Sequence, residues 1–341
     1  MNQTMHTAAT LVVALGGAAV AALFHVPAGA LIGALLAVAA AGAFGLKARV
    51  PMLARDMAFL LIGLSLGAGI DASVVARLPE WSLSLGGLVL SLVSTMAVSV
   101  WLLRRLYGLD HETAVLASAP GTMSNVIALA SEGRGDVTTV MVLQLIRLVL
   151  LVTCVPPVAA LIGVPEAAGL TPHAVMPLWA VALLIAVGLP MGRWLAALKV
   201  PTACLMTGLF LSATLHALGA MNGSAAPWLV FGAFSITGAV IGTRLNAIRL
   251  RDVLRLFSAG LVVVGTVSVV SLLFALGTRA LTGLPLGEIL VAFAPGGVEA
   301  MAAIGLALGY DPAYVAAHHF ARIVILVGLV PLFLGRKSAV S

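Results

Sequence analysis

Apolar residues in this chain run on without alternation. Twelve segments almost free of charge can be drawn. They cover 8–24, 27–45, 52–70, 81–103, 112–131 and 137–163 in the first half, and 174–195, 201–219, 226–243, 253–277, 286–308 and 312–335 in the second. Their lengths approach the roughly 20 residues that a helix needs to cross about 30 Å of hydrocarbon. Outer-membrane barrel strands alternate apolar and polar residues, so runs that are apolar throughout exclude a barrel. The pattern predicts an all-α polytopic membrane protein. Pro27, Pro51, Pro201 and Pro312 stand at or near segment starts, where a missing N–H does no harm. Pro120 and Pro295 stand inside segments, each followed by glycine. That pairing predicts a helix interrupted at membrane depth.

The two Pro-Gly sites expose an internal repeat. Ala119-Pro120-Gly121 returns as Ala294-Pro295-Gly296, an offset of 175 residues. At the same offset Gly63 meets Gly238, Gly67 meets Gly242, Asp136 meets Asp311, Arg147 meets Arg322 and Pro156 meets Pro331. Val26-Pro27 matches Val200-Pro201 one residue short of it. Chance likeness between apolar helices aligns Leu, Val and Ala; aligned intramembrane Pro and Arg mark a duplication. The repeats are expected over residues 1–165 and 166–341, together one transmembrane domain.

Loop charges bear on how the halves are oriented. With twelve crossings and a cytoplasmic N-terminus, Lys and Arg divide evenly between the two sides, eight against eight. When the Pro-Gly segments 112–131 and 286–308 dip in and return on the same side, the second half flips. Only Arg77 and Arg279 then stay outside, fourteen cations face the cytoplasm, and Arg147 and Arg322 remain within the membrane. The expectation is therefore two inverted repeats, each with about five crossings and one broken or re-entrant helix. Both termini would be cytoplasmic and the protein would sit in a bacterial inner membrane. The same parity follows if another segment in each half fails to cross.

Composition agrees: 62% of the 341 residues are hydrophobic and 9% charged, which excludes the soluble classes. The net charge of +6 is read as cytoplasmic loop bias, since no DNA-reading motif accompanies it. No nucleic-acid partner is expected. Cys154 and Cys204 lie inside apolar runs and build neither a disulfide framework nor a metal site. The N-terminal Met1–His6 stretch lacks a basic n-region, so the first apolar run is expected to remain in the mature protein. No nucleotide fingerprint, zinc-protease motif or nucleophilic triad occurs, and the seven histidines offer one adjacent pair in a membrane segment. No enzyme activity, cofactor or metal is expected.

The candidate chemistry gathers around the breaks. Interrupted helices in lipid free backbone groups that survive only when buried or facing a polar cavity. Half-helix N-termini also favour an anion. Pro120 and Gly121 are followed by Thr122, Ser124 and Asn125; Pro295 and Gly296 are followed by Gly297 and Glu299. Arg147 and Arg322 lie about ten residues into the next apolar runs, with Gln144 three positions before one and His319 and His318 three and four before the other. At those spacings the polar groups share a helix face. Guanidinium forks suit carboxylate or phosphate, so a small anionic solute is expected as ligand. The alternatives are structural: Arg322 pairing with Glu299, and Arg147 capping carbonyls freed at Pro120. Glu299, His318 and His319 are candidates for proton or sodium coupling. Asp56, Glu112 and Glu288 near segment ends are expected to face interfacial water, His216 to be a satisfied packing group, and Gly63–Gly69 to allow close helix contact. Beyond the lipid bilayer and the solute, a homo-oligomer is left open.

The paired Ala-Pro-Gly segments, each followed by a helix with a deep Arg and a distal Pro, resemble the duplicated membrane AbrB family. The motifs are Ala119-Pro120-Gly121 through Arg147 to Pro156, and Ala294-Pro295-Gly296-Gly297-Val298-Glu299 through Arg322 to Pro331. Members carry the labels AbrB family transcriptional regulator and ammonia monooxygenase, and the resemblance implies a part in regulating gene expression. The residues themselves point to a carrier of a small organic anion driven by protons or sodium. The alternative is a membrane-embedded sensor that acts on gene expression through a partner.

Overall fold

The computed structural model describes residues 3–70, 77–120, 123–163, 174–246 and 248–335. Within them lie fourteen α-helices: α1 (Gln3–Leu23), α2 (Gly29–Ala43), α3 (Met52–Gly67), α4 (Ser82–Tyr107), α5 (His111–Ser118), α6 (Met123–Ser131), α7 (Val137–Gly163), α8 (Leu178–Ala197), α9 (Ala203–Ala217), α10 (Pro227–Leu245), α11 (Leu250–Thr282), α12 (Leu286–Phe293), α13 (Val298–Ala307) and α14 (Pro312–Leu334). Extended pairing among the described residues is confined to an isolated bridge between Val175 and Ser224. Seven helices, α1, α4, α7, α8, α10, α11 and α14, are long and apolar enough to cross a membrane. The protein is an all-helical chain with the make-up of a polytopic membrane protein.

Three of the twelve apolar segments give helices shorter than a full span. The segments at 27–45, 52–70 and 201–219 become α2, α3 and α9, with 15, 16 and 15 residues. Each is only about 22–24 Å long at 1.5 Å per residue. Burial explains why this suffices: every residue of α3 from Ala58 to Gly67 is buried against protein. A helix enclosed by other helices has no lipid thickness to match. Segments 112–131 and 286–308 are interrupted, at Ala119-Pro120 between α5 and α6 and at Ala294–Gly297 between α12 and α13.

The helices themselves recur along the chain. α5 and α12 begin and end 175 residues apart, and α4 and α11 both stop before a left-handed glycine, Gly108 at φ 64° and Gly283 at φ 72°. The described residues include four non-glycine positions with left-handed backbone, His25, Ala28, Lys199 and Thr202. They form two sets separated by 174 residues, around Val26-Pro27 and Val200-Pro201. L-residues avoid this region because Cβ crowds the backbone, so its return at matching positions means that one strained turn is built twice.

The helices pack as two compact units. One comprises Met1–Pro79, Pro156–Ala247 and Val298–Ala316; the other comprises Glu80–Val155, Ile248–Gly297 and Ala317–Ser341. In the first, helix pairs cross at glycines with their backbones in contact. A Cβ on Gly63 of α3 would lie 2.1 Å from the Leu205 carbonyl oxygen of α9, and one on Gly238 of α10 would lie 2.2 Å from the Leu31 carbonyl oxygen of α2. Gly67 and Gly242 repeat the contact one turn on, against Leu209 and Leu35. The exchange is reciprocal, because Gly238 is the repeat partner of Gly63 and Leu31 that of Leu205. At the Asp311 turn of the same unit, Arg77 pairs with the carboxylate at 2.7 Å and the Ala313 amide donates to it at 2.8 Å, which caps α14.

In the second unit α4 packs on α11, with Gly87 admitting the Thr278 hydroxyl, and α7 packs on α11 where Gly260 admits Ile146. Asp110 caps α5 by accepting from the Thr113 amide at 2.9 Å. Asp136 does the same for α7 through the Thr138 amide, at 3.0 Å.

Candidate functional site

The first Pro-Gly segment enters and returns at the same end. Glu112 and Arg134 flank it in sequence, yet form a salt bridge at 2.9 Å. Beside them the Asp136 amide donates to the Thr113 hydroxyl at 2.8 Å. A straight 20-residue helix would hold its ends about 30 Å apart. Instead α5 and α6 form a helical hairpin whose arms, of 8 and 9 residues, each reach about 12–14 Å. Arg134 also donates to the Gly335 carbonyl at 3.1 Å, and the His111 ring contacts the Phe333 carbonyl at 2.8 Å, so the mouth of the hairpin is tied to the end of α14.

The hairpin tip meets α7 at matching depth. Arg147 lies ten residues into α7, about 15 Å along its axis. Helix α5 ends in carbonyls without helical partners. Arg147 donates to the Ser118 carbonyl at 3.2 Å and the Ala119 carbonyl at 3.0 Å. Gln144 donates through Nε2 to the Leu116 and Ala119 carbonyls, both at 2.8 Å, and its Oε1 accepts from Arg147. All three acceptors of the Arg147 guanidinium are uncharged. What offsets the cost of a deep cation, about 2.5–3.5 kcal/mol on the permissive scale, is the partial negative charge at the α5 C-terminus.

The second break repeats the plan with altered parts. Helix α12 ends at Phe293, and Arg322 donates to the Ala294 carbonyl at 2.6 Å and the Gly296 carbonyl at 2.7 Å. Arg322 is fully buried, and it lies within electrostatic reach of Arg147. His318 and His319 are fully buried too. The His318 Nε2 lies 2.8 Å from the Ser84 hydroxyl, whose hydrogen goes to the Trp81 carbonyl at 2.9 Å; the ring is therefore the donor. The Phe293 ring stands 6.2 Å from it. His319 occupies the repeat position of Gln144. Neither of its ring nitrogens has a hydrogen-bond partner, although the Val291 backbone lies beside the ring. The Ser118 hydroxyl, also fully buried, is unpartnered as well.

The second unit thus brings together Pro120, Gln144 and Arg147 at one break and Pro295, Gly296, His318, His319 and Arg322 at the other. Gly121 and Thr122 lie outside the described residues, as do the side chains of Ser124 and Asn125 on α6. Gly297 is half-buried in the second break. Glu299 belongs to the first unit, in the opening turn of α13, where a carboxylate suits the helix dipole. No cluster of three metal-ligating side chains occurs among the described residues.

Three expectations for acidic residues and one for a histidine meet the structure elsewhere in the chain. Asp56 is not in interfacial water but 6% exposed, held by Arg55 at 2.8 Å and Arg193 at 3.2 Å. Glu288 is buried at 7% exposure rather than interfacial. In both cases a position near a segment end is covered by neighbouring helices, which hydropathy does not register. Glu112 is half-buried in the hairpin mouth. His216 is a satisfied packing group, its ring nitrogens 2.8 Å from the Ser212 carbonyl and 2.9 Å from the Gly223 carbonyl. Sequence reading missed Ser84 and the carbonyls of Leu116, Ser118 and Ala119; backbone acceptors have no sequence signature.

Comparison with known proteins places the sequence in a family. The sequence model of the family described as "Transition state regulatory protein AbrB" matches residues 1–73 and 31–336. "Uncharacterized protein YhjN" of Bacillus subtilis (strain 168) is 27% identical over 299 residues, which is 80% of this chain and 76% of that protein. "Putative regulator AbrB" of Escherichia coli (strain K12) is 28% identical over 159 residues, 45% of this chain and 44% of that one.

Proposed function

The chain belongs to the AbrB family, and from that membership and the two broken helices we propose a secondary-transporter-like carrier of a small organic anion, coupled to protons or sodium. Its halves are inverted repeats, it lies in the inner membrane, and both termini face the cytoplasm. It has no enzymatic activity and needs no cofactor. The observation that carries the reading is the pair of buried guanidiniums, one at each helix break and within reach of each other's charge. Helix ends and fixed cations meeting at membrane depth are how inverted-repeat carriers hold a charged solute. Two such cations leave the region electropositive, since each half-helix C-terminus offsets only about half a charge. The return of the first Pro-Gly hairpin to its starting end supports this reading, since inversion needs one segment in each half that does not cross. The fold-level likeness to transporters is analogy, and the site geometry bears the weight.

The wording attached to the family and to the Escherichia coli relative favours a second reading, a membrane sensor that reaches gene expression through a partner. Its loops at 46–55 and 244–255 are too short to hold a DNA-binding domain, so a partner is required.

Inversion is what a carrier of this design cannot do without, and labelling tests it. Single cysteines at 131–137 and beside Arg193 are expected to react from the cytoplasm, and those at 163–173 from outside. Both termini inside with the Arg193 loop outside would exclude the architecture and the carrier reading with it.

A further inference from the structure

Within the first unit, α3 and α8 pack antiparallel. A Cβ on Gly188 would lie 2.9 Å from the Leu60 side chain, and just beyond that contact Arg193 meets Asp56. The buried Asp56 carboxylate holds two guanidiniums at once. Arg55 donates to Oδ1 through Nε at 3.0 Å and Nη2 at 2.8 Å, and Arg193 donates to Oδ2 through Nε at 3.2 Å. Neither arginine is buried with its partner: their side chains are 39% and 46% exposed. Among the described residues, Arg55 Nη1 and both terminal nitrogens of Arg193 have no partner. The carboxylate therefore fixes one edge of each guanidinium and leaves the other open to the outside. Gly192 backs onto Cys204 of α9, whose sulfur would stand 3.0 Å from an added Cβ, so the inner side is filled by protein.

Packing alone does not require these charges. In the repeat copy of this contact α1 packs on α10, with Ala19 in the place of Arg193 and Phe231 in that of Asp56. One carboxylate also leaves one of two guanidinium charges unbalanced. Asp56 is the sole acidic residue of α1, α2, α3, α8, α9 and α10, so these six helices supply no second counter-charge. Arg55 lies in the first turn of α3 and Arg193 near the end of α8. Trp194 beside it is exposed, as is Trp179 about 22 Å away along α8, the spacing of an aromatic belt at either edge of the hydrocarbon. We propose that Arg55 and Arg193, set in place by Asp56, hold the headgroup phosphate of an anionic phospholipid. Guanidinium forks match phosphate oxygens bidentately, and the single negative charge of a phosphodiester balances the charge left over. The exposed Trp194 and Leu198 give the lipid's apolar part a surface beside the cations. A zwitterionic lipid offers the same phosphate but brings its own ammonium, so the anionic one binds better. Asp56 is a positioning residue that touches no lipid. The site is separate from the helix breaks and does not depend on the carrier reading.

The test is native mass spectrometry of the full chain in detergent, titrated with phosphatidylglycerol, phosphatidylcholine or glycerol phosphate. The first phosphatidylglycerol is expected to bind roughly tenfold more tightly than phosphatidylcholine. Arg193→Gln should remove most of that preference, and Arg193→Lys, which keeps the charge but loses the fork, should weaken it in part. If Arg193→Gln does not fold because it strands Asp56, Arg193→Gln combined with Asp56→Asn replaces it with the same readout. Arg104→Gln with Arg105→Gln, an exposed pair on α4, should leave the affinity for the first lipid unchanged. Equal binding of the two lipids, or an equal loss in the Arg104 and Arg105 variant, means unspecific surface charge and overturns the site. Glycerol phosphate binding as tightly as phosphatidylglycerol overturns the lipid assignment.

Discussion

Gly63→Ala and Gly238→Ala should each destabilise the protein by about 3 kcal/mol or more, while Gly232→Ala on the same helix as Gly238 should be neutral or mildly stabilising. Added methyls at Gly63 and Gly238 would stand 2.1 and 2.2 Å from backbone carbonyl oxygens, whereas Gly232 has nothing within 4 Å of the new atom. Backbone cannot rotate away as a side chain can, so α3 must lift off α9, or α10 off α2, along a stretch where both glycines of each pair are engaged. Close approach of helix backbones through small residues is a main source of stability in lipid, where there is no hydrophobic drive between helices. Melting curves in detergent for the three variants check it. Equal melting temperatures for Gly238→Ala and Gly232→Ala would mean that the crossing is looser than described.

Arg147→Ala should cost a similar amount, about 3 kcal/mol, because it strands the Ser118 carbonyl and the Gln144 Oε1 inside a buried joint. Gln144→Leu strands the Leu116 carbonyl instead. The two residues serve one helix end and bond to each other, so their combined loss should be smaller than the sum of the single losses, by 1 kcal/mol or so. Arg147→Lys keeps the charge and loses the planar fork, and melting should fall before anion affinity does. Normal melting with weakened anion binding in Arg147→Lys would instead make Arg147 a direct ligand and the capping contacts incidental. Denaturation midpoints and acetate affinity for the four proteins separate the outcomes.

Much of the plan was legible because lipid makes some residues conspicuous. Proline inside an apolar run and arginine ten residues deep are rare enough that their return at one spacing identifies both breaks and the helices beside them. Val26-Pro27 and Val200-Pro201 likewise marked a repeated segment start, though not the left-handed backbone at His25 and Ala28. The limits are as physical. Hydropathy does not distinguish a helix facing lipid from one enclosed by protein, so α2, α3 and α9 were drawn too long, and Asp56 and Glu288 were placed in water. Glycine at 63 and 67 announced a close contact but not its partner, since the nearest α9 atoms are the Leu205 and Leu209 carbonyl oxygens. The pairing of His318 with Ser84 spans 234 residues and depends wholly on the fold. That Arg147 reaches the Ser118 and Ala119 carbonyls depends on where those groups point, which no spacing encodes.

The central claim is that the two breaks make an anion carrier, and uptake of labelled acetate into proteoliposomes, less the uptake into protein-free vesicles, tests it most directly. That uptake is expected to exceed the background for acetate, with none for labelled methylammonium. In a folded variant carrying Pro120→Ala, Gly121→Leu, Pro295→Ala and Gly296→Leu, which rebuilds both helices, the uptake should fall to the protein-free level. Uptake that survives in that variant, or no uptake of acetate and phosphate alike by the parent protein, would contradict the account.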